Sequence, residues 1–356
     1  MKLVKFDKKE KYIKDFVKLA TVIYDSNDNM EDPDSIKKIL KGEHPLSKYF
    51  SLAKFLIYDD SDIVKGRFCI TSYEGDETAY LGFFECVNDA DVAKFLFDSA
   101  YAYCSENGFA KIQGPVDASF WIKYRLKINK FEAPYTGEPY NKDYYLKLFE
   151  DNGFTVAEHY TSHAFRSVGE EYKNPKFEEH YQEFLNAGYE IRSPKEEEFS
   201  QAIDDVYRLV TDLYSDFPIF KDVKQEDFRE VFMSYKQIMN MSMTKLAYFN
   251  GKAVGFYVSI PDYGNLVYHT GNPINIAKIL MTKKKPQRYV MLYMGVDQQH
   301  RGLGKALVYA IMKELMASGL PSIGALMRDG KLTQTYANGD ITGVYEYVLL
   351  ERKIEK

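Results

Sequence analysis

The run Tyr289–Leu315, YVMLYMGVDQQHRGLGKALVYAIMKEL, constrains this chain more than any other stretch. Tyr289–Val296 is rich in aromatic and branched residues, the make-up of a buried strand. Asp297-Gln298-Gln299-His300 is a polar break, and Arg301–Ala306 turns the chain on two glycines. Ala306–Leu315 is mostly apolar, as in a helix laid on a sheet. Strand, glycine turn and buried helix in that order predict a mixed α/β layer. They also predict an anion site. A helix start leaves backbone N–H groups without intrahelical partners, and those donors and the helix dipole attract negative charge, above all phosphate. Gly302 and Gly304 have no Cβ, so a diphosphate can approach the backbone closely.

Three phosphate-loop patterns compete for the run. A Walker A loop needs G-x-x-x-x-G-K-[ST]; here Gly304-Lys305 is followed by Ala306, and Gln299 stands where the first glycine belongs. A dinucleotide loop needs a third small residue, but Leu307 occupies that position after Gly302-Leu303-Gly304. The pattern [RQ]-x-x-G-x-[GA] is met by Arg301-Gly302-Leu303-Gly304-Lys305-Ala306. With Val296-Asp297 at the strand end and Gly319 closing the helix, the run resembles the acyl-coenzyme A loop of the GNAT superfamily of N-acyltransferases. An ordinary glycine-containing strand-to-helix turn is the competing reading.

The rest of the chain bounds the setting. Its 356 residues are enough for two domains. A net charge of −5 gives no electrostatic reason to expect a nucleic acid or an anionic membrane as partner. Cys69, Cys86 and Cys104 form no C-x-x-C pair, which argues against a disulfide scaffold or a zinc site and for reduced thiols in a cytoplasmic protein. The N-terminus lacks the apolar run of a signal peptide, and no stretch approaches the roughly 20 apolar residues of a membrane span. His159 and His163 fall in a segment that reads as strand, where four residues span roughly 13 Å, too far for one metal ion.

The order of elements repeats. Each half has a short strand, a helix opened by a capping box (Asp7 with Glu10, Ser193 with Glu196), a two-strand hairpin, a long strand, an apolar helix ending at glycine and a further strand. Val64-Lys65-Gly66 matches Ala253-Val254-Gly255, and Val87-Asn88 matches Val296-Asp297. This is the element order of the GNAT fold. The expectation is an α/β protein with mixed sheets, built as two tandem GNAT-like acyltransferase domains, residues 1–170 and 171–356, with the boundary in the charged segment 169–175. From Val87 to Gly108 the first half is two residues shorter than the second from Val296 to Gly319. Its junction, Asn88-Asp89-Ala90-Asp91, has no glycine and carries two aspartates that would repel a diphosphate. The first domain therefore reads as a degenerate copy without a phosphate loop, and the cofactor is expected in the second domain only.

The resemblance implies roles for the remaining residues. Tyr293, Met294, Gly295 and Val296 would contact pantetheine, and Arg301, Gly302, Leu303, Gly304, Lys305 and Ala306 would hold the diphosphate of acetyl-CoA, the co-substrate. The acceptor would be a small-molecule or peptide amine. Tyr336, some way beyond the loop as in the family, is the candidate general acid for the leaving thiolate, with simple packing as the bland alternative. The chain departs from the family after its fifth strand, where Arg328-Asp329-Gly330 and Asn338-Gly339-Asp340 replace the usual residues. Asp297, Asp212 and Asp216 are weak candidates for a base, as a turn cap and two solvated helix-end charges. A non-catalytic GNAT-like protein that binds coenzyme A or a partner is the alternative; an aminoacyl-tRNA-dependent transferase fits less well, because the loop is kept.

Overall fold

The computed structural model describes residues 1–217, 219–330 and 340–355. In chain order the elements are β1 (Lys2–Phe6), α1 (Glu10–Ile23), α2 (Pro33–Lys41), β2 (Ser51–Tyr58), β3 (Val64–Ser72), β4 (Thr78–Cys86), α3 (Ala90–Glu106) and β5 (Lys111–Gly114). Short β6 (Val116–Asp117), β7 (Lys123–Tyr124) and β8 (Leu126–Lys127) lead to α4 (Tyr145–Asp151) and β9 (Thr155–Phe165). Then come α5 (Pro175–Asn186), β10 (Glu190–Arg192), α6 (Phe199–Tyr214), α7 (Gln225–Met233), β11 (Thr244–Phe249), β12 (Lys252–Pro261) and α8 (Pro273–Lys284). The last are β13 (Tyr289–Val296), α9 (Leu303–Ser318), β14 (Ser322–Arg328) and β15 (Ile341–Lys353). Two compact units result. Unit 1 is Met1–Pro134, Glu138–Tyr160 and Glu346–Lys356; unit 2 is Tyr135–Gly137 and Thr161–Tyr345.

In unit 1 the strands run β1-β2-β3-β4-β5, with the 346–353 part of β15 beside β5. All these pairings are antiparallel except β4–β5. Alternation sorts the side chains between the two faces. Phe55, Ile57, Phe68 and Ile70 meet Leu96 and Phe97 of α3, while Leu56, Tyr58 and Cys69 meet Ile13 and Phe16 of α1 and Ile39 of α2. Phe55 and Phe68 face each other across β2–β3 and their rings stack at 4.7 Å. Burying each such side chain contributes roughly 1.5–3 kcal/mol, so the two helical layers hold the sheet from both sides.

In unit 2 the order is β10-β11-β12-β13-β14, with the 161–165 part of β9 beside β14. The β11–β12 hairpin turns at Asn250 and Gly251, whose φ values of 50° and 74° suit a tight turn with two left-handed residues. Leu303, Ala306 and Leu307 of α9 and Phe177 and Tyr181 of α5 pack on Ala247 and Val254. Gly255 permits this closeness, because a Cβ there would lie 3.0 Å from Leu307 and 3.2 Å from Leu303; Gly66 lies under Leu96 of α3 in the same way.

Three sequence expectations need correction. α1 starts at Glu10 with Lys9 as N-cap and no side-chain cap, because Asp7 is drawn instead to the Lys54 ammonium at 3.3 Å. Ser193 does not open α6: its hydroxyl donates to the Ser242 carbonyl, and the Lys195 N–H instead donates to Glu198 ahead of a 3-10 turn. The internal match is also shifted. Gly66 faces Cys86 while Gly255 faces Val296, and the N–H of Val87 donates to Lys65 as that of Asp297 donates to Val254. Cys86-Val87 is thus the counterpart of Val296-Asp297. Two residues, 87 and 88, separate Cys86 from the N-cap Asp89, whereas five, 297–301, separate Val296 from the N-cap Gly302. The shortening lies in the loop between strand and helix.

Candidate functional site

The site begins where β13 parts from β14. Their parallel ladder pairs Tyr289–Met291 with Ser322–Gly324 and goes no further, although β13 continues to Val296 and β14 to Arg328. On its other edge β13 stays on β12, but Val258 faces Tyr293 and Ser259 faces Met291, so Leu292 is an extra residue in the ladder. A bulge of this kind bends and twists its strand. Bulge and divergence together leave Tyr293–Val296 paired on one side only, which gives an extended molecule a strand edge to lie along.

Packing holds this geometry. A Cβ on Gly295 would lie 2.5 Å from the Phe256 ring and 2.6 Å from Leu213, so only glycine lets α6 and Phe256 close over the strand. The Tyr214 hydroxyl donates to the Met294 carbonyl at 3.2 Å, and Tyr293 projects outward, 47% exposed. Tyr235 stands nearby, 38% exposed. Burial first, and then the neighbouring hydroxyls of Tyr293 and Tyr268, push its pKa above the usual tyrosine value. These four tyrosines come from four separate segments and have no sequence signature.

The loop after β13 is held from within. The Asp297 carboxylate accepts from the Gln299 N–H at 2.9 Å, and its carbonyl accepts from the His300 N–H at 2.9 Å. His300 Nδ1 and the Tyr189 hydroxyl share a hydrogen bond of 2.7 Å, and the imidazole sits edge-on to the Tyr189 and Phe249 rings. Asp297 is therefore a turn former. Asp212 and Asp216 are exposed at the end of α6.

Gly302, at φ +92°, is the N-cap of α9. No side chain caps this helix and no acidic residue stands in its first turn. Arg301 is exposed and Lys305 half-buried, and neither side chain has an ion-pair or hydrogen-bond partner among the described residues. Leu303, Gly304 and Ala306 are buried, so their contribution at the surface is backbone. The Leu303 and Lys305 N–H groups donate to the carbonyls of His300 and Gly302; the remaining N–H groups, the helix dipole and the two cations make this terminus electropositive. The structure thus brings Tyr293–Val296 and Arg301–Ala306 together on consecutive elements. Tyr336 lies outside the described residues.

In the aromatic run 133–140, Tyr135 and Tyr140 are buried, 1% and 8% exposed. No group of His, Cys, Asp or Glu able to hold a metal occurs among the described residues, and none of the described helices is long and apolar enough to cross a membrane.

No known family profile and no curated protein matches the sequence. Solved structures do match. A tandem GNAT protein from the clavulanic acid biosynthesis pathway aligns over 100% of this chain and 99% of its own, at 11% identity and a TM-score of 0.53. A GCN5-related glucosamine N-acetyltransferase region of a fungal multi-domain GH3 β-N-acetylglucosaminidase aligns over 98% of this chain and 38% of its own, at 13% identity and 0.55. A GCN5-related N-acetyltransferase from Sphaerobacter thermophilus aligns over 99% and 96%, at 11% identity and 0.50. At such identities the likeness is one of fold, and the chain has the mixed α/β fold of the tandem GNAT proteins.

Proposed function

We propose that unit 2 is an acyl-CoA-dependent N-acyltransferase, transferring acetyl from acetyl-CoA to a primary amine on a small molecule or peptide. The observation that carries this reading is the N-terminus of α9: glycine at the N-cap, no side-chain cap, no acid in the first turn, and Arg301 and Lys305 without partners among the described residues. Those features fit a diphosphate. The shared fold with proteins named as N-acetyltransferases supports the same reading. We further propose that residues 171–356 carry the activity and that the first domain, residues 1–170, is a copy that has lost its phosphate site.

In this reading the backbone N–H groups of Gly302, Gly304 and Ala306 and the charges of Arg301 and Lys305 hold the diphosphate, while those of Leu303 and Lys305 are used within the turn. The free edge of Tyr293–Val296 lies along the pantetheine arm and brings the thioester carbonyl to the point where β13 and β14 diverge. Acyl transfer needs a neutral amine, a polarised carbonyl and a proton for the departing thiolate. Backbone donors on β13 supply the polarisation, and Tyr336 supplies the proton.

A thermal melt tests the cofactor. Acetyl-CoA at about 100-fold over its Kd adds roughly 2.7 kcal/mol to a protein that binds it only when folded. No shift at millimolar acetyl-CoA sinks the reading. Gly304→Asp puts a carboxylate beside the diphosphate and lowers affinity by about two orders of magnitude or more; unchanged affinity in a folded variant means the anion binds elsewhere. Free-thiol release over a panel of primary amines then reads turnover, and binding without turnover on any amine leaves a coenzyme A-binding protein in place of an enzyme.

A further inference from the structure

The net charge of −5 hides a segregation of charge along the chain. From Tyr263 to Val296 there is no acidic residue, but there are five basic ones, Lys278, Lys283, Lys284, Lys285 and Arg288. Arg288 is neutralised by Asp262 at 2.5 Å, and Lys283 donates to the Gln237 carbonyl at 2.9 Å. Lys278, Lys284 and Lys285 are exposed, with no ion-pair or hydrogen-bond partner among the described residues.

These lysines belong to α8 and its C-terminal end. A helix that is apolar on all sides belongs in an interior. α8 is apolar on both its faces, yet Ile279 is its one buried residue, and it rests mainly on the turn Leu266–Tyr268. At about 100° per residue, Ile276, Leu280, Ala277, Met281 and Ile274 form one arc of about 160° on the side away from Ile279. Ile274, Ile276, Leu280 and Met281 are 46–70% exposed. Lys278 borders the arc, and Lys284 and Lys285 close its C-terminal end. The remaining exposed large apolar side chains of unit 2, among the described residues, are Met233, Tyr235 and Tyr293. They continue the same surface: Lys283 joins α8 to the turn Ser234–Gln237, and the Tyr235 hydroxyl neighbours that of Tyr293.

Single exposed apolar residues need no explanation, but a contiguous group marks an interaction surface. Its chemistry selects the occupant. A second copy meeting this face with its own would set lysines against lysines. Protein interfaces favour aromatic residues and arginine and avoid lysine, whereas α8 offers aliphatic side chains and lysines. A lipid bilayer takes both. Aliphatic side chains enter the acyl boundary, and lysines reach anionic headgroups on their long stems. Tyrosine, apolar with a polar tip, suits the same depth.

We propose that α8 and the turn Ser234–Gln237 dock unit 2 on an anionic lipid bilayer. Ile274, Ile276, Leu280 and Met281 enter the interface, and Lys278, Lys284 and Lys285 meet the headgroups. The contact is peripheral, because a helix of 12 residues is too short to span a bilayer. The proposal is independent of the acyl-CoA reading, since neither α8 nor that turn holds a residue assigned to the cofactor.

Co-sedimentation of the full chain with phosphatidylcholine vesicles, with and without about one-third phosphatidylserine, tests it. The anionic vesicles are expected to bind at least about tenfold more tightly than the neutral ones, and to release the protein as salt rises. Leu280→Ser with Met281→Ser removes the apolar insertion, and Lys284→Glu with Lys285→Glu reverses the charge. Each pair is expected to lower binding by about tenfold or more with the melting temperature unchanged, because all four side chains are exposed. Gly304→Asp is expected to bind vesicles as the natural chain does. The assignment is overturned if anionic vesicles do not bind, if neutral vesicles bind as well, if either pair binds unchanged, or if Gly304→Asp abolishes binding. A concentration-dependent dimer that the serine pair dissolves gives this face to a second copy and overturns it too.

Discussion

The junctions β4–α3 and β13–α9 are built on one plan and charged in opposite ways. Both helices pack over a glycine of the preceding hairpin, Gly66 or Gly255, and both end beside a glycine, Gly108 or Gly319. At α3 the Asp89 carboxylate accepts from the N–H groups of Asp91 and Val92 at 2.9 and 3.1 Å, and Asp91 adds a second charge in the first turn. At α9 glycine stands at the cap and no side chain takes those donors. One helix terminus is closed by carboxylates of its own segment; the other is left to backbone carbonyls and open N–H groups, which is what the proposed diphosphate would use. The difference extends one strand further in. Arg67 and Glu85 face each other where Phe256 and Gly295 do in unit 2. The position that is closed and apolar in one unit holds buried charged residues in the other.

The largest expected effect comes from breaking the seam that only unit 1 has. Gly82→Ala drives a Cβ into the Val116 backbone, which has no flexible end to move. We expect a loss of about 4 kcal/mol or more, seen as early melting of unit 1 by calorimetry; a wild-type melt in this variant means the two backbones are not in contact. Gly295→Ala makes the same probe in unit 2, but meets the ends of Phe256 and Leu213, which can shift. The expected cost is about 1–3 kcal/mol, with acetyl-CoA binding weakened because the bulged strand moves. Equal costs for the two glycines would erase the contrast between a closed and an open strand pair.

Asp89→Ala removes the cap of α3 and is expected to cost about 1 kcal/mol in urea unfolding. It should create no acetyl-CoA binding, since the loop before it has two residues where the other has five. Gain of binding would mean that the aspartate alone, and not loop length, separates the junctions.

A further effect is a slope with pH. Burial, and then the nearby Glu31, push the Glu85 carboxyl up to about 7 from 4.5, against the pull of Arg67. The folded state therefore holds more protons than the unfolded state between those values, and this group's contribution to stability falls as pH rises from about 4.5 to 7. The sign is opposite to that of an ion-paired surface carboxylate. Glu85→Gln should flatten this part of the melting-temperature profile, and an unchanged slope would assign it to other groups.

Much of this was readable in the sequence where contacts are local. The loop Arg301–Ala306, its strand and its helix follow from composition and glycine spacing, and the hairpin at Asn250-Gly251 from its turn chemistry. The repeat was readable in outline but misplaced by one residue, because matching Val87 to Val296 uses side-chain type, whereas the true equivalence is set by hydrogen-bond register across β3–β4 and β12–β13. The two capping boxes failed for a related reason. Asp7 and Ser193 have the right spacing, but Lys54 and the Ser242 carbonyl, distant in sequence, compete for them and win.

By itself the sequence determined the strand–loop–helix of residues 289–315, the alternation that gives each strand two faces, and the charge difference between the two helix starts. These depend on residues within a turn or two of one another. Only the tertiary structure decided where β13 leaves β14, which tyrosines gather beside it, and that Glu31, Arg67, Glu85, Asp117 and Arg125 gather in one part of unit 1. Those residues come from five separate segments of unit 1. What joins them is register and strand order, which arise when the sheet assembles and leave no periodic mark in the chain.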